Sequence, residues 1–136
     1  MSTRSAFEQT KTAMTAVLEE FCSAFERRDT EAVMRLVGPD PAIIVVTSEE
    51  AILRGPGELQ AFLRRYEQGA TTYSWTWERY DAGTSGRVGW LLAQGWETAA
   101  TADHAKRHAY RMTMAFERRG EQWIPVLIHG SSPHQT

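Results

Sequence analysis

Residues 6–27 carry Phe7, Met14, Leu18, Phe21 and Phe25 at steps of 7, 4, 3 and 4. Those steps return to one side of a 3.6-residue turn and predict a long amphipathic helix. Asp29 and Thr30 supply capping oxygens for a second, short helix over EAVMRLV, with Val33, Leu36 and Val37 inward. Gly38-Pro39 is its expected stop, because glycine accepts a left-handed cap and proline cannot extend a helix. After Pro41 the pattern changes. AIIVVT is a β-branched run that predicts a buried strand, SEE a turn, and AILRG a short returning strand. A third helix is expected over GPGELQAFLRRYEQG, where Pro56 suits the first turn and Gly69 closes the last. Leu59, Phe62, Leu63 and Tyr66 form its apolar stripe.

Beyond residue 70 four segments alternate with period two: TTYSWTWERYD, RVGWLLAQGWETA, AKRHAYRMTMAFE and QWIPVLIHG, with turns expected at DAGTSG, TADH and RRGE. The first three are about twice the usual strand length, so they must twist, and Gly89 and Gly95 are expected bend or bulge points. Helix, helix, hairpin, helix and meander, in that order, predict an α+β fold. In it a curved, mixed but mostly antiparallel sheet wraps the long first helix as a cone open at one end. One domain over residues 1–136 is expected.

Length permits a core without disulfides. Hydrophobic content is 42% and charged content 24%, which fits a globular chain and argues against disorder. Net charge is −2, and the doublets Arg27-Arg28, Arg64-Arg65 and Arg118-Arg119 are dispersed and expected to be solvated caps, which disfavours nucleic acid. No apolar stretch approaches a membrane span and MSTRSAFEQT has no apolar signal core, so a cytoplasmic protein is expected. The single cysteine, Cys22, sits on the first helix's apolar side and is expected to be a buried, inert thiol.

Candidate chemistry is sparse. His104 and His108 are four apart, but along a strand that is about 13 Å, too far for one ion. Gly-Pro-Gly before the third helix matches no phosphate loop, and no GxSxG surrounds Ser131 or Ser132. No metal or other cofactor is expected. Glu78, Glu97 and Glu117 fall inside strands. A carboxylate pointing into an apolar cone is a candidate base for a proton next to a carbonyl, and Glu97, beside Trp96, is the best placed. A solvent-facing strand glutamate is the commoner arrangement.

Aromatic residues dominate the strands. Tyr73, Trp75 and Trp77 share one face, and Tyr110, Met112, Met114 and Phe116 share another. Within residues 88–98, bulk alone turns Trp90 and Trp96 inward. The opposite faces are not fully polar either: Ala109, Thr113 and Ala115, or Leu91 and Ala93, suit an interface with a second copy.

The element order, the stretch AIIVVTSEEAILRGPGELQAFL and the segment AYRMTMAFERRGEQWIPVLIHGSSP resemble the nuclear transport factor 2-like superfamily. Within it the chain is most similar to SnoaL-like domains and to the association domain of calcium/calmodulin-dependent protein kinase. Trp123, His129, Ser131 and Pro133 match the spacing of the last strand in those relatives, with Leu127 where they carry a further histidine. The resemblance implies a cone that dimerises through its outer sheet face, and it turns Gly89, Ala93, Gly95 and Glu97 inward. It also puts Met114 and Gly130 where the kinase domain has pocket arginines, which implies a greasier pocket. The aliphatic set Ile124, Val126 and Ile128 should face the helices, leaving Trp123, Leu127 and His129 outward toward a partner.

Two functions follow as expectations. One is a pocket for a small apolar ligand, walled by Tyr66, Trp77, Tyr110, Met112 and Met114, with Glu97 as base, Tyr110 as hydrogen-bond donor and His108 as a further polar group. An isomerase, cyclase or dehydratase acting on a small cyclic or carbonyl compound would fit. The other is a non-catalytic homodimerisation module whose filled cone leaves no cavity of the roughly 300 Å³ typical of ligand sites.

Overall fold

A computed structural model describes residues 3–37, 40–48 and 51–133. Three helices and six strands follow in the expected order: α1 (Thr3–Glu26), α2 (Thr30–Val37), β1 (Ile44–Val46), β2 (Ile52–Arg54), α3 (Gly55–Gln68), β3 (Thr72–Ser85), β4 (Val88–Ala100), β5 (Ala105–Arg119) and β6 (Gln122–Ser131). One six-stranded sheet is ordered β2-β1-β6-β5-β4-β3, and its one parallel pair is β1 with β6. The architecture is the expected α+β cone. The Gly38-Pro39 stop and most of the SEE turn lie outside the described residues. Among those described, no helix is long and apolar enough to cross a membrane.

Met14, Leu18, Phe21 and Cys22 are the buried stripe of α1, packed with Leu91, Met114, Phe116 and Ile128 from the concave sheet face. Gly89 lets the helix approach: a Cβ there would lie 2.6 Å from the Met14 sulfur and 3.2 Å from the Trp123 ring. In the rows beside it Leu91 and Ala93 are fully buried. They belong to the core, which corrects their assignment to an interface. Of the two alternatives for β4, the Gly89–Ala93–Glu97 face points in. Trp90 is turned outward, 46% exposed.

α1 ends in paired bonds from Arg28 N to Phe25 O and from Asp29 N to Ala24 O, a Schellman stop with Arg28 left-handed at φ 58°. Asp29 then caps α2 by accepting the Ala32 N–H. Arg28 is not the solvated cap expected. Its guanidinium donates to the carbonyls of Glu67, Gly69 and Thr71 and lies over the Tyr66 ring, tying the end of α1 to the end of α3. Alanine at position 28 loses those charged bonds and keeps the strained backbone, so it should cost about 3 kcal/mol in a denaturant titration. Glycine at the same position should recover less than about 1 kcal/mol of that.

Two departures from the expected strands have physical causes. DAGTSG is not a loop: β3 runs to Ser85, and the hairpin turns at Gly86-Arg87, with Gly86 at φ 58°. Gly83 stays in the strand because the directly opposed Trp90 lays its ring over it, covering the missing side chain. In β6 the register with β5 shifts, Ala115 pairing with Leu127 and Phe116 with Pro125, so Val126 is an extra residue. The bulge changes the parity of the strand. Trp123 and Pro125 therefore face the core, while Leu127 and His129 remain outside. Trp123 is removed from the outer face where alternation had put it.

Candidate functional site

Three neighbouring strands place Trp75, Glu97 and His108 side by side on the concave face, since Trp75 pairs with Glu97 and Glu97 with His108. Glu97 is only 4% exposed. Trp75 Nε1 donates to one carboxylate oxygen at 2.9 Å, and His108 Nε2 lies 2.9 Å from the other. A buried carboxylate has to be hydrogen-bonded to be tolerated, and this one has a partner on either side.

One rung along, Trp77, Gly95 and Tyr110 oppose one another. Gly95 admits the β3 backbone: a side chain there would strike the Thr76 carbonyl, just before the point where Glu78 bulges out of register. Tyr110 reaches across to β6 and lays its hydroxyl over Gly130, where a Cβ would collide with it. Burial, opposed by a hydrogen bond to Ser48 and aided by the Glu97 charge, pushes the Tyr110 phenol up from 10.0 to about 12. Tyr110 is thus a neutral donor at ordinary pH. Burial together with Glu19 raises Tyr80 in the same direction.

These shifts set an alkaline limit. The folded chain holds phenol protons that the unfolded chain releases first, so the stability they contribute is intact below pH 10.0 and is lost as pH rises through about 12. Of the four tyrosines, Tyr80 and Tyr110 should form phenolate late, in step with loss of near-ultraviolet circular dichroism. A Tyr110→Phe variant should lose part of that late absorbance.

A cavity of about 90 Å³ opens at the wide end of the cone. Phe21 and Phe25 of α1, Leu59 and Phe62 of α3, residues 45–48, and Tyr73 and Trp75 of β3 surround it, with Glu97, Tyr110, Met112, Ile128 and Gly130 deeper in the sheet. Of the residues expected at the site, Glu97, Tyr110 and Met112 line this space. Tyr66 does not; it stacks behind Phe25 at 4.3 Å and accepts the Tyr73 N–H. Met114 is sealed in the core below, and His108 stands beside Glu97 rather than in the lining. Trp77 faces a separate groove against α1, beside Glu19, Cys22, Glu26 and Tyr80. Its indole N–H is buried next to the Cys22 thiol without a regular hydrogen bond, and burial raises that thiol to about 12. Cys22 is accordingly inert at neutral pH.

Sequence reasoning missed Phe21, Phe25, Phe62, Tyr73 and Trp75 as lining residues. A signal was present in Phe25 and Phe62, the last and middle members of two helical stripes, because stripes that converge on an open cone end must line its mouth. Glu78 and Glu117 sit elsewhere: Glu78 accepts the Trp96 indole N–H and Glu117 pairs with Arg119. Among the described residues no group of three or more His, Cys, Asp or Glu is close enough to hold a metal ion.

Solved structures share this fold. The chain is similar to a candidate dehydratase of the NTF2-like family from Streptomyces avermitilis, with TM-score 0.82, 16% identity, and coverage of 94% of this chain and 99% of that one. A Mycobacterium tuberculosis protein of unknown function gives TM-score 0.86 at 12% identity, covering 100% of this chain and 79% of that one. The hexachlorocyclohexane dehydrochlorinase of Novosphingobium barchaimii gives 0.79 at 10% identity, covering 94% and 89%. At such identities the likeness is one of fold. Comparison with curated proteins finds no match. Residues 14–135 match the model of the SnoaL-like domain, and the chain belongs to that family, with the fold seen in solved NTF2-like structures.

Proposed function

We propose that this protein binds a small molecule at the wide end of its cone and performs general acid/base chemistry there, with Glu97 as base and Tyr110 as donor, on a small cyclic or carbonyl compound. The observation that carries this reading is the buried Glu97 carboxylate, flanked by Trp75 and His108, at the edge of a largely apolar cavity. His108 orients Glu97 and gives a transferred proton a second place to reside. Fold neighbours named as a candidate dehydratase and a dehydrochlorinase are of the same kind. Loss of water or chloride from such compounds also removes a proton from the adjacent carbon, and a buried carboxylate can accept that proton.

A second reading, a homodimerisation module, is favoured by two observations. The cavity is well below the roughly 300 Å³ at which ligand pockets begin. The outer sheet face carries an apolar row, Trp90–Ala115–Leu127–Ile44, in cross-strand register, and Leu127 is 36% exposed. Under this reading the dimer forms through that face, with Leu127 and His129 in it.

A native mass spectrum of the gently purified protein separates the two. A dimer with additional mass released on activation is expected if the pocket is used. A bare dimer leaves only the association module, and a monomer removes the outer-face dimer.

A further inference from the structure

β1 and β6 run parallel, with Val46 opposite His129. The chain leaving β1 therefore carries Thr47 and Ser48 alongside Gly130 and Ser131. Tyr110 comes from β5, on the other side of β6, and its hydroxyl lies over Gly130, whose missing side chain makes the room. Ser48, Tyr110 and Gly130 all line the cavity, and the Ser48 hydroxyl is hydrogen-bonded to the Tyr110 phenol. Thr47, the neighbouring hydroxyl, is engaged elsewhere, with the Ala51 backbone. Two hydroxyls thus meet at the cavity wall across a glycine.

A hydroxyl holds one proton and can also accept one. Ser48 opposes the rise of the phenol, as a group that donates to its oxygen does. The Tyr110 proton is then not needed within the pair and is available to a ligand. Linked hydroxyls polarise one another, so a bond received from Ser48 makes Tyr110 the stronger donor. Such a donor suits an oxygen with a free lone pair, and the Glu97 carboxylate on the same cavity wall disfavours an anion there. On the reading of this cavity as an acid/base site, we infer that Ser48 is a positioning residue that turns the Tyr110 proton toward the cavity, and that the ligand is a neutral ketone or aldehyde seated by its oxygen on that proton. When Glu97 takes a proton from the carbon next to the carbonyl, the freed electron pair forms a carbon–carbon double bond. The carbonyl π pair moves onto the oxygen, where the two hydroxyls meet the growing charge.

Cyclohexanone and methylenecyclohexane have nearly the same shape, but only the ketone carries an oxygen. Both would be titrated into the whole protein. Ligand-observed NMR reads affinity, and the infrared carbonyl stretch of isotope-labelled ketone reads the hydrogen bond. The bound ketone is expected to show its carbonyl band below the position found in hexane. Ser48→Ala should move that band part of the way back and weaken the ketone about threefold, leaving the alkene within about twofold. Tyr110→Phe should move it the whole way and weaken the ketone about tenfold, and Ser48→Thr, which keeps the hydroxyl, should match the parent. An unshifted band in the parent protein overturns the inference whether or not any variant folds. A Ser48→Ala variant that leaves the band and the ketone affinity unchanged, or that weakens both probes alike, also overturns it. In each of these cases the cavity stands as a ligand site. Failure of both probes to bind the parent removes the site and the inference together.

Discussion

Alanine in place of Gly95 lowers the stability of this protein by about 3 kcal/mol, the upper end for an overpacked site. The atom in the way is the Thr76 carbonyl, with the Trp77 backbone just beyond it. A crowded side chain can rotate aside, but the backbone of a long antiparallel strand cannot do so without breaking its ladder bonds to β4. The clash also falls where β3 changes register, between Trp77 and Arg79. Local relief would therefore straighten the bulge and turn the inward residues of one half of β3 outward. Chemical denaturation measures the loss. Retention of full stability in Gly95→Ala would mean that the two strands do not approach as described. Gly86, with open space around its Cβ position, is the control: alanine there carries only the strain of its positive φ.

Removal of the Glu97 carboxylate should be as damaging, and its replacement by amide much less so. Glu97→Ala leaves Trp75 Nε1 and His108 Nε2 facing an empty, largely buried site, which costs about 3–5 kcal/mol, as breaking a buried polar pair does. For a chain of this size that is a drop in Tm on the order of 10 °C. Glu97→Gln keeps the shape: the amide oxygen accepts from Trp75 while the amide nitrogen donates to His108, whose other ring nitrogen then holds the proton. The amide variant should melt within about 1 kcal/mol of the parent and yet lose any turnover by about 100-fold or more. Similar melting of the Ala and Gln variants would show that the three-strand network carries little of the fold.

Element order and type were legible because they depend on periodicity. Phe7 through Phe25 could only be a helix, and four alternating segments after residue 70 could only be a meander. What was hidden depends on single inserted residues. Val126 and Glu78 each add one residue to a strand and reverse the facing of everything beyond, and no local composition distinguishes an extra valine from a paired one. Trp123 was misplaced for that reason alone. The orientation of β4 was ambiguous because the larger side chains, Trp90 and Trp96, face outward. One lies over Gly83 and the other is held by Glu78 and by Arg107, which stacks 4.1 Å above it. Bulk misleads when a tryptophan has a partner on the convex side.

At the site the carboxylate was legible in the sequence and most of the aromatic lining was not. Glu97 stood out as an acidic residue among apolar ones, and Tyr110 and Met112 followed from their shared face. Phe21 and Tyr73 could be identified only by knowing where the helices meet the rim. Arg28 was hidden for a different reason: its role depends on carbonyls about forty residues away, a separation at which no pattern in the sequence marks the pairing.

The margin of the sheet has its own consequence. β3 is a terminal strand of 14 residues, a length that normally invites another chain to add itself and begin aggregation. Its Tyr73 and Trp75 N–H groups are already taken, by the Tyr66 hydroxyl and by the Glu26 carboxylate. The opposite terminal strand, β2, is three residues long. A stray extended segment from a misfolded neighbour thus meets a side-chain guard at one border and too short a template at the other. The helices that form the mouth of the cone also guard the border of its sheet.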